Sequence, residues 1–365
     1  MDHAARLHAV RDALVGADVG AVLLGPGADL LWAAGFDAHV SERLTVLVVP
    51  ASGEAILVVP ELEEALARRA GVGELARIVA WDETTDPVAL VDAHLGACGA
   101  SASPLAIQDR IWTAFTLALQ AALPSATWVP GSRIMAPLRL VKDAEEVTAL
   151  RAVGAAIDQV HAQVPELLRP GRTEAEVAAD IDSLIREGHD ATSFVIVASG
   201  PNGASPHHGS SDRVLTNGDA VVVDIGGTLD GYGSDETRNY CVGRVDPDYQ
   251  ALHDVLQDAQ AAAMAAVAPG VTAHAIDAAA RDVITAAGHG DHFIHRTGHG
   301  IGLDGHEEPW IVAGNEVEVR AGMAFSIEPG IYVPGVHGAR IEDIVVVTDD
   351  GAESVNHRPR HVVVT

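Results

Sequence analysis

Lysine is almost missing from this sequence: Lys142 is the only one among 365 residues, and the remaining cationic side chains are arginines. Twenty-three basic residues face 51 acidic ones, a formal net charge of −28. That field repels phosphate backbones and anionic lipid headgroups, and no segment gathers basic residues into a stripe, which argues against nucleic acid and membrane surfaces as partners. Cysteine is nearly as scarce. Cys98 and Cys241 stand far apart with no C-x-x-C spacing, which excludes a disulfide framework or a thiolate zinc site and fits a reducing cytoplasm. Long apolar runs are missing too. Asp2, Arg6, Arg11 and Asp12 interrupt the first twenty residues, which read neither as signal peptide nor as anchor, and the alanine-rich stretch 259–268 stops at Pro269-Gly270, short of a bilayer span. A G-x-S-x-G elbow and an H-E-x-x-H helix are both absent, so serine-hydrolase and zincin chemistry lack support. The expectation is a soluble cytoplasmic protein.

What is present has the balance of a globular chain, with 48% hydrophobic and 20% charged residues and length for two domains. The first third alternates helical and strand patterns. Leu7, Val10, Leu14 and Val15 mark a helical face, AVLLG, LTVLVVP and AILVVP read as buried strands, and residues 62–70, 88–95 and 115–123 read as helices. Pro124, Pro130, Gly131 and Pro137 punctuate the next stretch, so residues 130–137 are the expected linker. The reading is an α/β domain over 1–135 followed by a second domain over 136–365. In the latter, Asp143 with Glu146 and Thr173 with Glu176 form capping boxes that open two helices, the first ending before Arg169 and the second at Gly188.

An internal repeat follows. Pro170-Gly171-x-Thr173 recurs as Pro269-Gly270-x-Thr272, Gly188-His189 as Gly288-His289, Phe194 as Phe293 and His207 as His306, all offset by 99 or 100 residues. Their common register points to a duplication that builds the second domain from two similar α/β halves.

Five acid or imidazole side chains sit in apolar, glycine-punctuated segments: Asp224 in AVVVDIGG, Asp235 in GSDETRNY, His299 in RTGHGIG, Glu328 in FSIEPGIY and Glu342 in ARIEDIVVVT. A carboxylate at the end of a valine strand is costly to bury unless a cation meets it. A two-residue turn at Asp230-Gly231 sets Asp224 opposite Thr237 and brings Asp235 to the same face; a three-residue loop would put the acids on opposite faces. Glu328 and Glu342 flank a second turn centred on Gly335, and direct pairing about that centre aligns them. If the halves face each other, four carboxylates and one imidazole converge, and two divalent cations would compensate them. Oxygen ligands with one imidazole favour Mn²⁺, with Co²⁺, Zn²⁺ and Fe²⁺ as alternatives. Gly300 to Gly305 matches G-x-G-x-x-G, but His306-Glu-Glu-Pro309 follows instead of a helix, so nucleotide binding is rejected. Most of the 18 histidines, His253, His274, His357 and His361 among them, are expected to be ordinary surface or core residues.

Together the five segments resemble the metal-dependent pita-bread hydrolases, namely methionine aminopeptidase, aminopeptidase P and Xaa-Pro dipeptidase, and most closely the proline-specific branch. The resemblance covers most of the chain: Lys142 onward is similar to the catalytic domain, and residues 1–135 to the amino-terminal domain of creatinases and prolidases. It implies that Asp224, Asp235, His299, Glu328 and Glu342 bind two metal ions. It gives substrate-side roles to His207 and His306, makes His295 and Arg340 further pocket residues, and makes Glu328 a proton shuttle as well as a ligand. The implied activity is an exopeptidase that cuts the Xaa-Pro bond of dipeptides or peptide N-termini through a metal-bridging hydroxide, as a homodimer. The competing expectations are a related metal enzyme acting on a small non-peptide C–N substrate, or a non-catalytic binding module. The sequence departs from the family pattern at Gly305, where valine is common, at Ser205, where a larger apolar residue is common, and at Asn239, where threonine is common. Trp32, His39 and Arg43 lie in the amino-terminal region whose loops contribute to length selection in relatives, and the expectation for them is a buried tryptophan and two surface polar residues.

Overall fold

A computed structural model describes residues 1–365, which divide into two compact units, Met1–Arg139 and Leu140–Thr365. In the first unit the helices are α1 (His3–Gly16), α2 (Ala28–Ala34), α3 (Glu61–Arg69), α4 (Pro87–Ala97), α5 (Thr113–Ala122) and α6 (Ser132–Arg139). The strands are β1 (Ala21–Leu24), β2 (Val46–Pro50), β3 (Ile56–Pro60), β4 (Arg77–Trp81), β5 (Leu105–Ile107) and β6 (Trp128–Pro130), in the sheet order β4-β3-β2-β1-β5-β6. Strands β1 to β3 are buried along their whole length, which is why they read as unbroken apolar runs. Leu23, Val46 and Val48 pack with Leu95 and Leu119 of the helices in this core.

The segment expected as a linker is instead the end of this unit. Residues 128–130 form β6, and α6 follows, with Ile134 and Met135 buried and Arg139 paired to Asp29 at 2.7 Å. Gly131 marks a close approach, not a flexible joint: a Cβ there would lie 2.8 Å from the Gln108 backbone. Trp32 is buried under Arg6, which stands 4.7 Å from its ring centre, so of the three amino-terminal residues singled out by sequence only His39 and Arg43 reach the surface.

The second unit opens with α7 (Ala144–Leu167) and α8 (Glu174–Gly188), each started by the expected capping box. Strands β7 (Ala191–Ser199), β8 (Ala220–Leu229), β9 (Tyr232–Gly233) and β10 (Glu236–Cys241) complete the first half. The second half repeats the plan with α9 (Pro247–Ala266), α10 (Ala273–Ala286), β11 (Gly298–Gly300), β12 (Glu307–Ile311), β13 (Ala324–Ile327), the hairpin β14 (Gly330–Val333) and β15 (His337–Arg340), β16 (Asp343–Val347) and β17 (Ala352–Ser354). The last strand, β18 (Val363–Val364), returns to pair with β10.

The repeated Pro-Gly-x-Thr motifs dock identically. Gly171 N–H donates to Leu215 and Gly270 N–H to Val319, at 3.0 and 2.9 Å, and each partner returns a 2.8 Å bond, to Arg172 and Val271 respectively. Both glycines hold positive φ, 92° and 87°, at the tight entry to the next helix. Apolar faces of α7 and α8 cover β7, β8 and β10, while α9 and α10 cover β13 and β16.

Candidate metal centre

Both acid-bearing hairpins take the expected register. Asp230 and Gly231 have φ values of 51° and 82°, as a two-residue turn of the I′ kind requires, and Thr237 lies directly opposite Asp224. On the second hairpin Gly330 pairs with Arg340 and Val333 with His337, while Ile327 pairs with Asp343, so one register runs through Glu328 and Glu342. An isolated bridge between Thr237 and Glu342 joins the two halves at the acids.

The sequence-predicted residues meet around one cavity of about 870 Å³, lined by Asp224, Asp235, His299, Glu328 and Glu342 and also by His207, His295, His306 and Arg340. Ligand atoms of Asp235, His299 and Glu342 all lie within 4.8 Å of one another. His299 Nε2 is 3.4 Å from Glu328 Oε1, 3.7 Å from Asp235 Oδ2 and 3.9 Å from Glu342 Oε1. Its Nδ1–H donates to the Gly300 carbonyl at 3.1 Å, which leaves the Nε2 lone pair facing the acids. Burial and the neighbouring His306 hold that imidazole neutral, its pKa lowered to about 3.

The carboxylates are crowded. Burial and then Asp224 and Glu328 push Asp235 well above the ordinary range, burial and Asp235 do the same to Glu342, and burial raises Glu328 to about 7. Arg340 brings a guanidinium into the acid cluster; it pairs with Asp224 and donates from Nε to Thr237 Oγ1 at 3.1 Å. Even so, Asp224 Oδ1 and Glu342 Oε1 are buried with no hydrogen-bond partner. Buried acceptors left in this way, facing a neutral imidazole lone pair, fit a site for divalent cations.

Sequence reasoning missed several hydroxyl groups that orient this set. Thr237 Oγ1 donates to Glu342 Oε2 at 2.8 Å, and Ser326 Oγ donates to Glu328 Oε1 at 3.1 Å while accepting the His299 N–H at 3.0 Å. Tyr332 links two pocket residues: Arg340 Nη1 donates to its hydroxyl at 2.8 Å, and the hydroxyl donates to His295 Nε2 at 2.9 Å. That direction follows because His295 Nδ1–H is already given to the Arg296 carbonyl at 2.7 Å. Thr237 could have been found, since the predicted register puts it opposite Asp224; Tyr332 carries no spacing signal. Phe194, Ile196, Pro206 and Ile294 supply apolar wall, and Arg296, stacked 4.3 Å over Trp310, also lines the cavity.

Comparison with known proteins agrees with this geometry. Residues 148–349 match Metallopeptidase family M24, and residues 6–141 match the Creatinase/Prolidase N-terminal domain. A probable dipeptidase PepE from Mycobacterium tuberculosis is 51% identical over 99% of this chain and 96% of its own length. An Xaa-Pro dipeptidase from Lactobacillus helveticus is 35% identical over 88% of this chain and 89% of its own. The crystal structure of dipeptidase PepE from Mycobacterium ulcerans superposes with a TM-score of 0.94 at 52% identity, covering 100% of this chain and 99% of that one. With a matching family over both units and a cluster of buried acids and imidazole suited to divalent metal, the chain belongs to metallopeptidase family M24 and carries that family's creatinase/prolidase-type amino-terminal domain.

Proposed function

We propose that this protein is a dinuclear-metal exopeptidase that hydrolyses the Xaa-Pro bond of dipeptides. The observation that carries the reading is the convergence of Asp224, Asp235, His299, Glu328 and Glu342 around one cavity, with buried acceptor oxygens left unpaired on two of the acids. Those five residues would hold two divalent ions, Mn²⁺ first by ligand hardness, with Co²⁺, Zn²⁺ and Fe²⁺ as alternatives. Bound there, the ions supply an activated water as nucleophile and a Lewis acid for the substrate carbonyl.

The protein's own groups do the rest. Glu328, oriented by Ser326, takes the proton released at the nucleophile and returns it to the leaving proline nitrogen. His207 and His306 line the cavity, where a ring N–H is suited to the carbonyl oxygen on which negative charge grows in the transition state. The Arg340-Tyr332-His295 chain fixes the cavity's charge and shape, and Phe194 and Ile196 give it an apolar wall fitted to a substrate whose scissile nitrogen carries no hydrogen. Residues 1–139 serve as the amino-terminal domain and 140–365 as the catalytic domain of a cytoplasmic homodimer; no helix is long and apolar enough to cross a membrane.

The names of the relatives support a dipeptide substrate. The test compares Ala-Pro, Ala-Pro-Ala and an acylated amino acid as substrates of metal-stripped protein reloaded with Mn²⁺. Cleavage of Ala-Pro well above the other two is expected; preference for the acylated amino acid would replace this reading with a small-molecule C–N hydrolase.

A further inference from the structure

Glu174, the first residue of α8, is fully buried and lies outside the acid cluster, yet it collects more hydrogen bonds than any residue of the site. Its Oε1 accepts from Ser199 N–H and Oγ at 2.7 and 2.6 Å, and its Oε2 accepts from Ser211 N–H and Oγ at 3.1 and 2.7 Å. Asn202 Nδ2 bridges both oxygens at 3.1 Å, and His208 Nε2 donates to Oε2 at 3.0 Å. A carboxylate is an acceptor-only group with about four lone-pair positions, so this one is saturated. Burial alone would raise its pKa; the Ser199, Ser211 and Asn202 donors outweigh that and hold it below the ordinary range.

The donors share one property: all belong to residues 199–211, the segment that leaves β7 and carries Ser205, Pro206 and His207 into the cavity. Glu174 ties the start, the middle and the end of that segment to one point. The opposite side is fixed by backbone contact: Gly203 lies so close to Gly338 that a Cβ on Gly338 would sit 1.9 Å from the Gly203 carbonyl oxygen. Arg340 Nη1, whose partner guanidinium nitrogen holds Asp224, reaches the Pro206 carbonyl at 3.4 Å.

We infer that Glu174 is a positioning residue that presets the 199–211 segment and so aims His207 at the substrate carbonyl. The inference rests on the substrate-side role proposed above for His207. A preset segment costs no ordering when substrate binds, and a displacement of about 1 Å at a group acting on the transition state can lower turnover about 100-fold.

The test is a double-mutant cycle on the Mn²⁺-loaded enzyme with Ala-Pro as substrate: wild type, Glu174→Gln, His207→Ala and the double variant. Glu174→Gln keeps the shape but replaces one acceptor oxygen by a donor. It is expected to lower kcat about 10- to 100-fold, with KM and bound metal close to wild type. In the His207→Ala background the same change is expected to cost less than about twofold, because the effect passes through the missing imidazole. Independent, multiplying effects would overturn the inference, as would wild-type kcat in Glu174→Gln. A His207→Ala enzyme with wild-type kcat would overturn the role of His207 itself, and the inference with it. If Glu174→Gln does not fold by circular dichroism, Ser211→Ala, which removes one donor and leaves the carboxylate, takes its place in the same cycle with the same outcomes.

Discussion

His161 shows how a single side chain can sit close to the centre without belonging to its chemistry. Both ring nitrogens are committed inside the core, Nδ1 with the Tyr240 hydroxyl at 3.0 Å and Nε2 with the Glu236 carbonyl at 3.1 Å, and burial followed by the Arg238 charge lowers its pKa to about 3. The folded state therefore holds this ring neutral at pH values where the unfolded chain protonates it near 6.5. As pH falls from about 6.5 toward 3 the unfolded state binds one more proton, so stability falls at up to about 1.4 kcal/mol per pH unit from this residue alone. Denaturant unfolding of wild type and His161→Gln across pH 4 to 8 should give a shallower acid slope in the variant; parallel slopes would contradict the account. Acids and histidines are the residues whose roles were legible in the sequence, because an ionisable group flanked by glycine and β-branched residues stands out. The hydroxyls of Ser326 and Tyr332 were not, since hydroxyl residues are at home in any strand and only the folded partner gives them meaning.

At the level of elements, two hairpins and one arginine assemble the site. Both hairpin registers were readable because turn length dictates pairing and pairing dictates which side chains share a face. The joint between the hairpins was not readable. Arg238, buried on β10, donates to the Thr237 carbonyl at 2.9 Å and the Glu342 carbonyl at 2.7 Å, and pairs with Asp343 at 2.6 Å and Glu236 at 2.9 Å. Residues next to two candidate ligands are thus clamped by one guanidinium across the repeat. Arg238→Met leaves Asp343 and Glu236 without that cation; removing one partner of a buried pair costs about 3–5 kcal/mol, and chemical denaturation of the variant should show a loss of that size. A loss under 1 kcal/mol would mean Arg360 and Gln260, which also reach Asp343, suffice. Misreading residues 130–137 as a linker has an equally local cause. Proline and glycine there serve a strand end, a close backbone approach and a short helix, and composition alone does not separate those uses from flexibility.

For the whole molecule, the repeat at an offset near 99 residues made the architecture of the second unit legible before any contact was known, because equivalent Pro-Gly-x-Thr entries must dock in equivalent ways. The net charge of −28 reads differently once the centre is in view. Four of those charges, on Asp224, Asp235, Glu328 and Glu342, are gathered in one cavity and call for metal, while the rest bear on solubility and on the partners the chain repels. The cavity is proposed as a metal centre whose loading switches on peptide hydrolysis. Its most direct test is titration of Mn²⁺ into metal-stripped protein, with bound metal and Ala-Pro turnover measured at each step for wild type and Glu342→Ala. Two ions per chain, turnover rising with occupancy, and loss of both in the variant are the predicted results; turnover in metal-free wild type, or full turnover in a Glu342→Ala protein that binds no metal, would contradict it.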